Sequence, residues 1–171
     1  MNPGLDEMGE AREASPHIAE LERVYRDVGP KLWRSLYAAS GDREVADEAL
    51  AETFAQALRR GDELRSPEDW VWVAAFRVAR GLMKARSTHP APSGLQLVPG
   101  TANDDPPLAD DIVRALLALP AQQRLAVVLH DYADRPMAEV TSALAVTRAT
   151  AYVHLSRARR RLRELLEGTE R

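Results

Sequence analysis

The chain has no cysteine, only two lysines against 21 arginines, and nine aromatic residues in 171. Each shortage excludes something. Without cysteine there is neither a disulfide framework nor a thiolate metal site, and a reducing compartment is permitted. With aromatics at 5% and hydrophobic residues at 45%, a core must rest on alanine, leucine and valine, which suits helices arranged as one ordinary domain or two small ones. No apolar run reaches the roughly 18 residues that would cross a bilayer. The opening "MNPGLDEMGEAREASP" is acidic and lacks the apolar stretch of a secretory signal. The expectation is a soluble, cytoplasmic, mostly α-helical protein with no membrane contact of its own.

Catalytic inventories are equally thin. The four histidines, His17, His89, His130 and His154, are scattered without HExxH spacing, and there is neither a nucleophile elbow nor a glycine-rich phosphate loop. Asp104-Asp105 and Asp110-Asp111 flank prolines and read as solubilising charge and helix N-terminal acids. No enzymatic activity, cofactor or metal is expected.

What is present is helical periodicity, punctuated by proline and glycine. Ser15-Pro16 opens a helix carrying Ile18, Leu21, Val24, Tyr25 and Val28; Gly29-Pro30 is expected to bend or interrupt it before Leu32, Trp33 and Leu36 resume the pattern. Gly41-Asp42 stops that helix and caps a second, whose apolar positions from Val45 to Ala57 keep a period of 3.6 up to Arg60-Gly61. After a polar loop, Ser66-Pro67-Glu68-Asp69 is a capping-box pattern that starts a third helix, apolar on nearly every face from Trp70 to Ala79 and therefore central. Residues 87–107 hold five prolines and two glycines and read as a linker. Beyond it lie two helical segments split at Pro120, a turn at Ala133 to Arg135, the short segment "PMAEVTSALA", and a last helix from Thr147. The fold class is all-α, without strands or repeats: a tail (1–14), a first helical domain (15–86), the linker (87–107) and a second helical domain (108–167).

Charge is distributed unevenly. Residues 1–86 carry 13 basic and 16 acidic groups, and 87–147 carry 3 and 7, whereas 148–171 carry 7 and 3. Between Arg148 and Arg163 stand six arginines and no acid, on a segment whose Ala151, Leu155, Ala158, Leu162 and Leu165 form an apolar stripe. A short helix, a turn of about three residues and a second helix with such a stripe is the helix-turn-helix arrangement. Arginine supplies phosphate contacts and bidentate donors for guanine there. A merely solvated face normally alternates sign at i,i+4, which this one does not. Opposite the stripe, Ala149 and Val153 suit either thymine methyls or a covering protein, and the sequence leaves both open.

Segment order then carries a resemblance. "LPAQQRLAVVLHDYADRPMAEVTSALAVTRATAYVHLSRARRRLREL" resembles region 4 of bacterial sigma factors of the extracytoplasmic-function group, and residues 18–86 resemble region 2, through "ADEALAETFAQAL" and "WVWVAAFRVARGL". Each motif alone is moderately specific; the ordered pair across a tether is specific. The resemblance implies a sigma factor whose partners are core RNA polymerase, promoter DNA and an anti-sigma factor. Departures from the usual pattern at Ala51, Leu58, Thr141, Ala145, Tyr152 and His154 bear on which promoter is read rather than on the fold.

The resemblance assigns roles that the chemistry fits. Reading of the upstream promoter element falls to Thr147, Arg148, Thr150, Tyr152, Val153, His154, Ser156, Arg157 and Arg160. Opening of the downstream element falls to Arg60, Arg65, Trp70, Trp72, Arg77, Arg80 and Lys84, with rings to stack bases and cations to hold phosphates. At least two of the rings Trp70, Trp72 and Phe76 are expected in the core, given how apolar that helix is. The loop from Arg60 to Asp69 corresponds to the one that holds a flipped base in this family. Glu44, Glu48 and Glu52, at i, i+4 and i+8, make an acidic ridge which, with Asp47 and Phe54, would dock on core polymerase. Two rivals remain. A stand-alone helix-turn-helix regulator would use residues 16–86 for dimerisation or ligand binding, and a non-DNA adaptor would present its basic helix to an acidic protein.

Overall fold

In a computed structural model the described residues are 15–88 and 108–169, and all their regular structure is helical. The tail 1–14 and all of the expected linker except Ser87 and Thr88, which prolong a helix, lie outside them.

The first helix, α1 (Pro16–Ser40), has Pro16 in its first turn. It runs unbroken through Gly29 and Pro30, contrary to the interruption expected there. A mid-helix proline costs about 3 kcal/mol. Leu21, Val24, Val28, Leu32 and Leu36 nonetheless stay in register on one buried stripe, with Leu32 and Leu36 wholly enclosed. Burial of leucines at about 1.5–3 kcal/mol each outweighs that cost. Gly41 ends the helix at φ +67°, its N–H donating to the Tyr37 carbonyl at 2.7 Å. In α2 (Arg43–Arg60) the Asp42 carboxylate accepts from the Glu44 and Val45 N–H groups, as the pattern predicts. A single 3₁₀ turn, Gly61–Glu63, leads toward α3 (Pro67–Thr88). Ser66 stands before α3, its hydroxyl donating to the Asp69 carboxylate at 2.8 Å. Packed against both α1 and α2, α3 buries Val71, Trp72, Ala75, Phe76 and Ala79.

The second cluster comprises α4 (Asp110–Leu117), α5 (Ala121–Val127), α6 (Met137–Leu144) and α7 (Arg148–Thr169). Pro120 occupies the N-cap position of α5, which passes into a π-helical turn, Val128–Tyr132. Ala145, at φ 54°, is a left-handed C-cap of a kind usually given to glycine, and turns the chain from α6 into α7. Thr147 caps α7, its Oγ1 accepting from the Thr150 N–H at 3.2 Å. The predicted stripe is realised: Ala151, Leu155 and Ala158 are buried, with Leu162 packed at the margin.

The two clusters share one continuous core, α3 lying on α6 and α1 on α4. Three arginines cross the seam. Arg77 donates to the Ser142 carbonyl and hydroxyl at 3.0 and 2.8 Å. Arg135 pairs with Asp69 and Glu139 at 2.6 and 2.8 Å and lies over the Trp72 ring. Arg124 of α5 donates to the Ala39 carbonyl of α1 and, at 3.1 Å each, to the carbonyls of Leu117 and Leu119. Burial pulls its pKa below the usual arginine value, and carbonyls at the C-terminal ends of α1 and α4 are its partners, where the helix dipoles favour a cation.

Candidate nucleic-acid interface

In α7 the buried stripe fixes which residues face outward. Thr147, Arg148, Ala149, Thr150, Tyr152, Val153, Ser156, Arg157 and Arg160 are all exposed, whereas His154 is half-buried. Tyr152 and Val153, at 51% and 45% exposure, are among the few large apolar groups left in solvent. Arg148 lies over the Tyr152 ring, 5.8 Å from its centroid. Arg160 has only a loose contact with Glu164, at 3.9 Å. Arg159 is different: its guanidinium holds both oxygens of Asp131 at 2.8 and 2.7 Å. Hydrogen bonds from Arg159, then from His130, keep that carboxyl below its ordinary pKa. This pair fastens α7 to the π-helical turn, so Arg159 is structural while Arg148, Arg157 and Arg160 project outward.

The residues expected to meet the downstream element divide three ways. Arg60, Arg65, Trp70 and Arg77 share an open cleft of ≈ 780 Å³ with Gln56, Asp69 and Ser142. Arg60 sits over the half-buried Trp70 ring at 5.2 Å. The Arg60 to Asp69 loop is one wall of the cleft, and the first half of α3 is another. Arg80 and Lys84 face a second cleft, of ≈ 790 Å³, beside Arg86 and Arg124. Trp72 belongs to the core instead: it is 3% exposed, beneath Arg135, so its ring is not a contact surface in this arrangement. Phe76 is likewise buried, leaving Trp70 as the one accessible ring of the three.

The acidic ridge on α2 is less free than its spacing suggests. Glu44 pairs with Arg86, which also holds Asp42. Asp47 accepts from the Trp33 indole at 2.7 Å and lies near Arg43. Hydrogen bonds from Gln56, then Arg59, keep the Glu52 carboxyl below its usual pKa. Glu48 is exposed on the same helix. Phe54 meets Tyr25 edge to face at 5.0 Å. Together with Ile18, Leu21, Trp33, Leu50 and Leu58 these two rings line an apolar groove between α1 and α2. Sequence reading missed this groove, because Ile18 and Tyr25 fit the helical spacing of Leu21, Val24 and Val28 and nothing in that pattern sets them apart; they are 39% and 53% exposed. The seam residues Arg124 and Arg135 were missed as well.

No helix among the described residues is long and apolar enough to cross a membrane. Nor does any cluster among them have the makings of a metal site.

Comparison with known proteins agrees with this geometry. Residues 109–162 match the family model described as sigma-70, region 4. Over 173 aligned residues the chain is 27% identical to the ECF RNA polymerase sigma factor SigM of Mycobacterium tuberculosis, covering 95% of this chain and 87% of that protein. Among solved structures, the sigma factor RpoE bound to the anti-sigma factor NepR, from Bartonella quintana, superposes with a TM-score of 0.72 at 20% identity, over 88% of this chain and 98% of that one. CnrH, in complex with the cytosolic domain of CnrY, superposes with a TM-score of 0.62 at 17% identity, over 88% and 89%. The family match falls on α4 to α7, the SigM alignment spans nearly all of the chain, and the two structural likenesses share its helical fold: the second cluster matches sigma-70 region 4, and the chain as a whole is similar to an extracytoplasmic-function RNA polymerase sigma factor.

Proposed function

We propose that this protein, acting in the cytoplasm, binds core RNA polymerase and directs it to specific promoters, α1 to α3 engaging core enzyme and the opened downstream element and α7 reading the upstream element. The observation that carries this reading is α7 itself. Its inner face is locked into the core, while Arg148, Tyr152, Val153, Ser156, Arg157 and Arg160 form one exposed edge with the composition that phosphate and base contacts require. Residues 15–86 and 108–167 would then be the functional units. The Glu48 edge of α2 and the neighbouring Phe54 groove would meet core enzyme. Arg60, Arg65, Trp70 and Arg77 share the cleft for single-stranded DNA, with Arg80 and Lys84 steering phosphates. An anti-sigma factor is the expected regulator, as NepR is the anti-sigma factor bound in the RpoE complex.

Two weak readers on one chain bind tightly only when both are held at the right spacing, which is the polymerase's task. The net charge of -3 discourages unassisted binding to arbitrary DNA. Gel filtration of the protein with sigma-free core polymerase tests this directly. Co-elution with core, together with weak binding to duplex DNA in its absence, is expected; a free dimer that binds duplex DNA tightly and ignores core would overturn it.

A further inference from the structure

The first turn of α7 contains no acid, and its first residue is Arg148. A cation there opposes the positive end of the helix dipole, at a cost of about 0.3–1 kcal/mol. Helix stability therefore does not explain the residue. Among the described residues no carboxylate pairs with it; its recorded contact is with the ring of Tyr152, one turn on, itself half exposed. An exposed tyrosine in the second turn of a helix buries little of its ring in the core. Each residue is thus poorly placed for folding alone, and together they make a cation resting on a ring at the N-terminal end of α7.

Resting on the promoter-reading role of α7, we propose that Tyr152 is a positioning residue that holds the Arg148 guanidinium ready for one guanine of the upstream promoter element. An arginine side chain carries about 2 kcal/mol of rotamer entropy, which must be lost before its fork can meet guanine O6 and N7. Contact with the ring restricts that freedom before DNA arrives, so less is lost on binding. The contact uses the ring face and leaves N–H donors of the fork for the base edge. Ala149 and Val153 lie beside this pair on the same exposed edge and offer the apolar surface that a neighbouring thymine methyl would touch. The preferred site therefore contains a guanine whose recognition depends on two residues, only one of which touches it.

The test is a promoter library with the upstream element randomised, transcribed by core polymerase loaded with wild type, Arg148→Ala, Tyr152→Ala or Tyr152→Phe, and sequenced. Wild type should enrich guanine at one position by about tenfold over other bases. Arg148→Ala should flatten that position alone. Tyr152→Ala should reduce the enrichment there about threefold or more, leaving other positions selected, and Tyr152→Phe, which keeps the ring, should restore it. Circular dichroism melting confirms that each variant folds, as expected for exposed positions. Retained guanine preference in Arg148→Ala overturns the assignment of the reader. Full preference in Tyr152→Ala, or a uniform loss at all positions that phenylalanine does not rescue, overturns the positioning role. Absence of any selection by wild type refutes the promoter-reading role itself, a different result from either.

Discussion

Replacing Arg124 with methionine keeps most of the buried stem and removes three hydrogen bonds at once. The guanidinium satisfies carbonyls of Ala39, Leu117 and Leu119, at the end of α1, at the end of α4 and in the turn just after α4. Hydrogen bonds from a charged donor are worth about 1.5–3 kcal/mol each. Simple addition gives roughly 5–9 kcal/mol, too much for a half-buried group whose carbonyls recover water once the charge is gone. A loss of about 3 kcal/mol is the expected result, equivalent to a fall of about 6–12 °C in Tm for a chain of this length. Urea unfolding followed by circular dichroism measures it. Arg124→Lys, which places one ammonium where a fork stood, should recover less than half the loss. A methionine variant within about 0.5 kcal/mol of wild type would refute the reasoning, because surface substitutions change stability no more than that.

Three further outcomes follow from the same structure. Asp131→Asn removes the charge that Arg159 holds; because the folded pKa lies below the ordinary 3.8, the stabilisation is present above that value and disappears as pH falls through the folded pKa. The gap in urea midpoint between wild type and D131N should be constant from about pH 7 to 5 and close at lower pH. Gly41→Ala should destabilise by about 1–2 kcal/mol, since the residue needs a positive φ and an added Cβ would lie 2.4 Å from Leu117 Cδ2; thermal melting checks it. Arg135→Ala uncovers Trp72 at the seam, so tryptophan emission should shift to longer wavelength, and unchanged emission would place that ring's shielding elsewhere.

Local chemistry was legible in the sequence wherever one short motif settles the backbone. Gly41-Asp42, Ser66-Pro67 and the turn before Thr147 all fall within a residue of their expected places, because capping and positive φ depend on neighbours only. The recognition helix was legible for a related reason: one stripe and its complement determine both faces. The helix is not interrupted at Pro30, because the local cost of the proline is outweighed by packing that the local sequence does not display. The α2 ridge illustrates the other limit. Its acids were read correctly as one face, yet Arg86, which neutralises Glu44, comes from the far end of α3, 42 residues away. Contacts across the seam are more distant still: Arg77 meets Ser142 over 65 residues and Arg124 meets Ala39 over 85, with no local signal to announce either. Trp72 passed from a contact ring to a core ring for the same reason, its cover being Arg135 of the other cluster.

Run-off transcription with sigma-free core polymerase on a library of genomic fragments, with and without this protein, tests the central claim most directly. The account predicts discrete transcripts that appear only when the protein is added and that Arg148→Ala, Arg157→Ala and Arg160→Ala weaken. Transcription from the same fragments at the same level without the protein, or none with it, would contradict the account.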